Sequence, residues 1–272
     1  MIGKTLVFHI YVYDDKEYLN NMAYKLHLEC LKRYSSIFNK ACFNISCDNI
    51  NNIEIIKQIK YDLIDCGFSN LEIIVTKNDY FCEVNTFKYF ILDRLENLNE
   101  LIFFGHTKGI TNINDGINYP ENILHWVYTM YFFNLEEEYI INMENMMIRS
   151  FGGIQNTFYG TLKQTYEEIG ISFYPGTFYW VNPMKLYEDN RQGKVIIPKI
   201  YNRNFCEELP YIYKNINNPH EGVSSCFNRY YTDLWLYNDN DWNEMSFFLS
   251  GGHNIEYINK YNNIMEIIGN EK

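Results

Sequence analysis

The chain has 272 residues, enough for one large hydrophobic core or two small ones, and its 47% hydrophobic content is typical of a globular protein. Its formal charge of −11 argues against a nucleic acid as the main partner, because binding to a polyanion needs a basic surface. The longest apolar stretch, around residues 123–135, contains His125 and is too short to cross a membrane.

Cysteine usage and the N-terminus predict an intracellular protein. The seven cysteines are odd in number and include no C-x-x-C pair, which is typical of reduced, buried thiols. No signal peptide is recognisable, so we expect a cytoplasmic location. Asn, Ile, Lys, Tyr and Phe are all abundant, as in proteins of A/T-rich bacterial or large-virus genomes, and this bias explains most of the 25 Tyr and 19 Phe.

Strand and helix patterns alternate through the first 104 residues. Thr5–Tyr13 is a nearly continuous apolar run, as expected of a buried parallel strand. The spacing then predicts a helix through 22–31, a strand at 41–47, a helix at 55–64 capped by Gly67, a strand at 71–76, a helix at 85–98 and a strand at 101–104. This alternation predicts an α/β fold with right-handed βαβ units and a mostly parallel sheet flanked by helices.

The pattern is less regular after residue 109. Helical spacing is found at 122–133, 136–149, 161–169, 220–237 and 255–268, and a late strand at 173–181 is expected to join the sheet edge. Residues 189–218 have weak periodicity and are read as an irregular crossing loop. We predict one domain over residues 1–237, with halves at 1–118 and 119–237, and a C-terminal helical extension at 238–272.

The loop after the fourth predicted strand carries the clearest functional signal. The apolar run ends at His106, Thr107 and Lys108, and Gly109 follows. Ligands of open α/β sheets bind at the carboxyl ends of strands, where a lysine and an imidazole can bind phosphate and a glycine permits close approach of the backbone. A polar hairpin turn accounts for the same residues equally well.

Three short segments, taken in order, carry a resemblance to a known family. They are residues 104–109 (FGHTKG), 176–183 (GTFYWVNP) and 220–223 (HEGV), the last followed by a helical pattern. In this the chain resembles the glycosyltransferases of the rhamnan-synthesis F-like group, over most of residues 4–237. The resemblance implies a GT-A fold, in which 1–118 binds a nucleotide sugar and 119–237 binds a glycan or glycoprotein acceptor. It implies hexosyl or deoxyhexosyl transfer in polysaccharide biosynthesis.

The resemblance departs from the usual GT-A pattern at one place. Most GT-A enzymes carry an Asp-x-Asp motif after the fourth strand, where carboxylates hold a divalent metal against the donor diphosphate. Here His106, Thr107 and Lys108 occupy that place without a carboxylate. A lysine and an imidazole can neutralise the leaving group directly, so we favour metal-independent transfer over dependence on Mn²⁺ or Mg²⁺. The later Asp239-Asn-Asp241 is better explained as a solvated cap.

Candidate donor-binding residues lie at the ends of the predicted strands. Tyr11 and Tyr13 are placed to border the base, and Asp14 to bond the base or the ribose. Asn85 is a further candidate at the start of a predicted helix, where an N-cap is its simpler role. Packing is the commoner role for a tyrosine at a strand end, and a solvated turn is the commoner one for Asp14.

Inverting transfer needs a general base for the acceptor hydroxyl. Glu221, beside His220 at the start of a predicted helix, is the best candidate from chain order, and either side chain can accept a proton. Asp79 and Asp115 are alternatives, and a plain N-terminal helix acid explains Glu221 as well.

Trp180 and Tyr179, with Thr177 in the same segment, are candidates for an apolar platform that holds a sugar ring. A buried strand tryptophan is an equally common role for Trp180.

Two other classes of protein fit the sequence. A catalytically silent nucleotide-sugar-binding or scaffold protein would also lack the Asp-x-Asp motif. A metal-dependent hydrolase using His106, His125, His220 and His253 ranks lower, because these residues have no metal-site spacing.

Overall fold

A computed structural model describes residues 2–13, 18–78, 83–107, 110, 121–148, 158–160, 164–166, 171–173, 178–191 and 255–270. The predicted alternation of the first half is confirmed. Its elements are β1 (Lys4–Val12), α1 (Met22–Tyr34), β2 (Lys40–Cys47), α2 (Ile53–Asp65), β3 (Leu71–Lys77), α3 (Glu83–Phe90) and β4 (Leu101–His106).

The second half combines helices with short strands. In chain order these are α4 (Glu121–Leu135), α5 (Glu137–Met147), β5 (Phe158–Tyr159), β6 (Gln164–Tyr166), β7 (Ile171–Phe173), β8 (Tyr179–Val181), α6 (Pro183–Arg191) and α7 (Ile255–Asn270). The helix predicted at 161–169 is wrong, because β6 pairs with β7 in an antiparallel ladder. The helix predicted at 220–237 lies outside the described residues.

The main sheet of the described chain has the strand order β3-β2-β1-β4-β8-β5. The first four of these strands are mutually parallel, and β8 and β5 extend the sheet through antiparallel pairs. The chain winds from β1 through β2 to β3 on one side and then returns to place β4 on the other side of β1. The direction of winding therefore reverses between β1 and β4, and this boundary is the topological switch point of the sheet. The predicted mixed α/β class with a mostly parallel sheet is confirmed.

Helices cover both faces of the sheet. On one face, α1, α2, α4, α5 and α7 bury a large apolar core against β1, β2 and β4. On the other face, α3, the 3₁₀ helix Leu92–Asn97 and α6 bury a smaller core. Helix α7 contributes Tyr257, Tyr261, Ile264 and Ile268 to the larger core and contacts α1 and α4. This helix is therefore part of the helical layer on that face, and the domain bounds stay a prediction.

Two glycines explain local geometry. Gly67 follows the end of α2 with a φ of 83°, and its N–H donates to the Ile64 carbonyl at 3.1 Å, as predicted for a helix stop. Gly105 lies in β4, where an added Cβ would be 2.9 Å from the Phe8 ring and 3.1 Å from that of Phe178. Because Gly105 has no Cβ, the Phe8 and Phe178 rings can pack closely against β4 near the switch point.

Candidate functional site at the carboxyl edge of the sheet

The structure describes seven of the residues predicted for the site. The other predicted residues lie outside the described ranges: Asp14, Asp79, Lys108, Gly109, Thr177, His220 and Glu221.

His106 and Thr107 end β4 directly at the switch point. His106 is half-buried, is the Cα partner of His9 in β1, and has its ring 6.1 Å from that of Phe178. Thr107 is buried, its N–H donates to the His9 carbonyl at 2.9 Å, and its Oγ1 accepts from the Tyr11 N–H at 2.9 Å. Through these two hydrogen bonds, Thr107 continues the pairing of β4 with β1 beyond the last residue of β4. This holds β1 and β4 together up to the point where the loop departs.

Tyr11 and Tyr13 lie at the carboxyl end of β1, as predicted. Both are half-buried, and their ring centroids are 6.3 Å apart with the planes tilted by 43°. The Tyr11 hydroxyl donates to Asp48 Oδ2 at 2.8 Å. The phenol of Tyr11 is therefore oriented by a carboxylate of the neighbouring strand end.

Sequence reasoning missed a polar group beside Tyr11 that we call the edge cluster: Tyr11, Ser46, Asp48 and Asn78. Asn78 Nδ2 donates to Asp48 Oδ1 at 2.9 Å, and Asn78 Oδ1 accepts from the Ser46 hydroxyl at 3.3 Å. Asp48 and Asn78 directly follow β2 and β3, so the cluster spans the carboxyl ends of three parallel strands. The signal available in the sequence was one polar residue after each apolar strand, a pattern shared with ordinary turns.

The N-terminus of α1 is closed by its own cap. Asn21 Oδ1 accepts from the N–H of Ala23 at 2.7 Å, and its Nδ2 donates to the Ile110 carbonyl at 3.3 Å. Asn21 is buried and ties the loop after β4 to the start of the helix. In dinucleotide-binding folds this helix start binds the pyrophosphate through free N–H groups. Here the Asn21 side chain accepts from two of these N–H groups, those of Ala23 and Tyr24.

Below the edge, a row of polar groups, three of them buried and one half-buried, crosses the sheet on the α3 face. We call it the polar row: His9, Asn44, Thr76 and Thr86. Thr86 Oγ1 lies 2.8 Å from His9 Nδ1 and 2.8 Å from Asn44 Nδ2, and the Thr76 hydroxyl donates to Asn44 Oδ1 at 3.0 Å. Burial lowers the pKa of His9 to about 3, so its imidazole is neutral near neutral pH. Sequence analysis passed over His9 because it lies within an apolar strand.

Asn85 does not cap α3. The helix begins at Glu83, so Asn85 lies inside the first turn and the N-cap prediction is wrong. The predicted helix at 85–98 is also shorter, since it stops at Phe90 and a 3₁₀ helix follows over Leu92–Asn97.

Trp180 and Tyr179 lie in the two cores. Trp180 is 0% exposed, its indole Nε1 donates to the Asn134 carbonyl at 3.2 Å, and its ring packs 5.2 Å from that of Phe103. Tyr179 is 1% exposed and packs against Phe104 on the opposite face. Neither ring presents a face to a ligand, which differs from the predicted sugar platform. The reason is that β8 pairs with β4 inside the sheet, where helices cover both faces.

Within the described ranges, no group of three or more His, Cys, Asp or Glu side chains is arranged to hold a metal ion. His125, one residue of the hydrolase hypothesis, stacks on Tyr261 with ring centroids 3.9 Å apart, between α4 and α7. Among the described helices, none is long and apolar enough to span a membrane.

Comparison with known proteins does not assign the chain to a family. No protein-family model matches the chain, and no curated protein is significantly similar to it.

Proposed function

We propose that the protein is a glycosyltransferase that binds a nucleotide sugar at the carboxyl edge of its parallel sheet. The sugar is transferred to a glycan or glycoprotein acceptor. The observation that carries the proposal is the convergence of the edge cluster with His106 at the strand ends around the switch point, where ligands of open α/β sheets bind.

The polar groups at this edge suit the two ends of a nucleotide. Half-buried Tyr11 and Tyr13 offer aromatic faces for a base, and Asp48 and Asn78 offer acceptors and donors for base or ribose. The loop that begins at His106 supplies an imidazole and, in the sequence, the ammonium group of Lys108. These two donors would neutralise the charge that develops on a leaving diphosphate.

The capped N-terminus of α1 supports a nucleotide sugar over a dinucleotide cofactor. A dinucleotide fold uses the free N–H groups of this helix start for the pyrophosphate. Because Asn21 accepts from two of these N–H groups here, we assign the negative charge to the loop after β4. A GT-A enzyme handles the diphosphate at the same place in the chain. We propose that this transfer needs no Mn²⁺ or Mg²⁺ ion.

A catalytically silent nucleotide-sugar-binding protein is the second candidate, because the loop lacks the usual Asp-x-Asp carboxylates. The two candidates differ in turnover. An enzyme releases the nucleotide of its donor, a nucleoside diphosphate or, from a CMP-sugar, CMP, by transfer of the sugar to an acceptor or slowly to water, whereas a silent protein only binds.

The test is a nucleotide-release assay with UDP-, GDP-, dTDP- and CMP-sugars, each with Mn²⁺ and with EDTA. We expect release from one donor class in EDTA, and a loss of at least about tenfold in Lys108→Met because one charged contact to the leaving group is removed. Release that requires Mn²⁺ would contradict metal-independent transfer. Binding of a nucleotide sugar without any release would favour the silent protein.

A further inference from the structure

The hydrogen bonds of the polar row have one direction. The Thr76 hydroxyl donates to Asn44 Oδ1, and Asn44 Nδ2 donates to Thr86 Oγ1. The Thr86 oxygen therefore accepts one hydrogen bond from Asn44, and His9 Nδ1 lies 2.8 Å from it, within reach of the hydroxyl proton of Thr86. An Nδ1 that accepts in a neutral imidazole requires the proton to be on Nε2. The Nε2–H tautomer of His9 is thus the one in which the Thr86 hydroxyl donates to Nδ1.

The position of His9 brings this donor close to the proposed site. His9 is the Cα partner of His106, the last residue of β4, and its carbonyl accepts from the Thr107 N–H. Nδ1 is turned towards Thr86, which also bonds Asn44 on β2, so the Nε2 edge of the ring is turned away from them. Within the described chain, no residue forms a hydrogen bond with Nε2.

Three members of the polar row lie inside the core. His9 and Asn44 are 1% exposed and Thr86 is 0% exposed. Fully bonded polar groups in a core are about as stable as apolar groups of the same shape, and they add a fixed orientation. The polar row therefore fixes the orientation of the His9 ring, which lies at the level of the switch point.

We propose that His9 is a ligand-binding residue whose Nε2–H, oriented by Thr76, Asn44 and Thr86, donates to a diphosphate oxygen of the bound nucleotide sugar. This rests on the proposed function and extends it to a residue below the loop. A neutral hydrogen-bond donor is suited to this place, since it would stabilise the negative charge of the diphosphate oxygen.

The test uses ¹⁵N-histidine-labelled protein, so it needs no variant. Long-range ¹H–¹⁵N spectra of the wild-type protein are expected to place the His9 proton on Nε2. The Nε2 resonance is expected to shift when UDP or GDP binds but not with uridine or guanosine. An Nδ1–H tautomer would overturn the inference, and so would a diphosphate that binds without moving the Nε2 resonance. Failure of every nucleoside diphosphate to bind would overturn the proposed function and this inference together.

Variants of Thr86 separate orientation from packing. Thr86→Val keeps the shape but removes the hydroxyl, so we expect a mixed His9 tautomer and about tenfold weaker binding of the diphosphate. Thr86→Ser returns the hydroxyl and should restore both. Thr129→Val is the matched control, because the Thr129 hydroxyl is also buried but lies 3.0 Å from the Tyr257 hydroxyl between α4 and α7. Wild-type affinity in Thr86→Val, with the tautomer changed, would contradict the role of His9.

Discussion

The two faces of the sheet differ in how their side chains change along the strands. On the face covered by α1, α2, α4, α5 and α7, β1 begins at Lys4, which pairs with Glu144 of α5, and its later residues are apolar. These are Leu6, Phe8, Ile10 and Val12. On the face covered by α3, the middle of the strands is apolar and the carboxyl half is polar. In β1 the residues on this face are Val7, His9 and Tyr11.

The same change recurs in the neighbouring strands of the α3 face. In β2, Cys42 is followed by Asn44 and Ser46, and in β4 Phe104 is followed by His106. The carboxyl half of the α3 face thus departs from apolar packing. The candidate site lies at this end of this face, where His9 is in register with Asn44 of β2 and His106 of β4.

Truncation of a side chain on the apolar face should cause the largest decrease in the free energy of unfolding. Trp180→Ala removes a fully buried indole that packs on Phe103 and Phe38, so we expect a loss of about 3–5 kcal/mol in the free energy of unfolding. Urea denaturation measures it. A variant with unchanged stability and weaker sugar binding would instead support the exposed platform predicted from the sequence.

The polar face should respond to pH. Burial lowers the pKa of His9 to about 3 from 6.5, so between these values the unfolded chain binds a proton that the folded protein does not. The free energy of unfolding therefore keeps its full value above pH 6.5 and decreases, through His9, as the pH falls towards 3. We expect His9 to contribute about 2 kcal/mol of loss between pH 7 and pH 5.

The measurement is the free energy of unfolding at several pH values, with His9→Gln for comparison. The variant is expected to lose stability at pH 7 but to show a smaller decrease between pH 7 and pH 5. An identical pH dependence in both proteins would mean that His9 is not buried and neutral.

The helices over the apolar face are joined by one carboxylate. Glu136 precedes α5 and accepts from the Tyr34 hydroxyl and from Lys260 Nζ, both at 2.7 Å, which links α1, α5 and α7. We expect Glu136→Gln to cost about 1–2 kcal/mol and to raise hydrogen exchange in α7. Glu256→Gln is the control, because this exposed partner of the same Lys260 should cost less than about 0.5 kcal/mol. Equal effects would contradict a special role for Glu136.

The smallest effect is expected from an ion pair at the amino half of the α3 face. The pKa of Glu72 is lowered to about 2, chiefly by its hydrogen bond with Arg94 and further by Lys40. This stabilisation is present above pH 4.5 and is lost as the pH falls towards 2. Because the pair is partly exposed, Glu72→Gln should cost only about 1 kcal/mol at pH 7 and remove part of the acid-induced loss. An unchanged acid transition in urea would contradict this.

The sequence alone predicts the elements whose hydrophobic pattern is strong. The alternation from β1 to β4 and the stop of α2 at Gly67 follow from period and glycine chemistry alone. The β6–β7 hairpin was mistaken for a helix because strands of three residues are too short to show a period. The burial of Trp180 depends on which strand β8 joins, a long-range contact that local patterns do not encode.

The candidate site was predicted only in part. Tyr11, Tyr13 and His106 were found because they follow apolar strands, and they do lie at the carboxyl edge. Asp48 and Asn78 were missed, since a single polar residue after a strand is typical of turns. The polar row was missed because Asn44 and Thr86 come together only through the packing of α3 on the sheet.

The most direct test of a nucleotide-sugar site at the carboxyl edge is a thermal-shift screen with UDP-, GDP-, dTDP- and CMP-sugars, on the wild-type protein and two variants. One variant is Tyr11→Phe with Asp48→Asn, and the control is Tyr24→Phe with Asp62→Asn, which removes a similar tyrosine–aspartate hydrogen bond of 2.7 Å between α1 and α2. A ligand that binds only the folded state must raise the melting temperature. We predict that one nucleotide sugar stabilises the wild type and the control but not the edge variant. No shift with any donor, or an equal shift in the edge variant, would contradict the account.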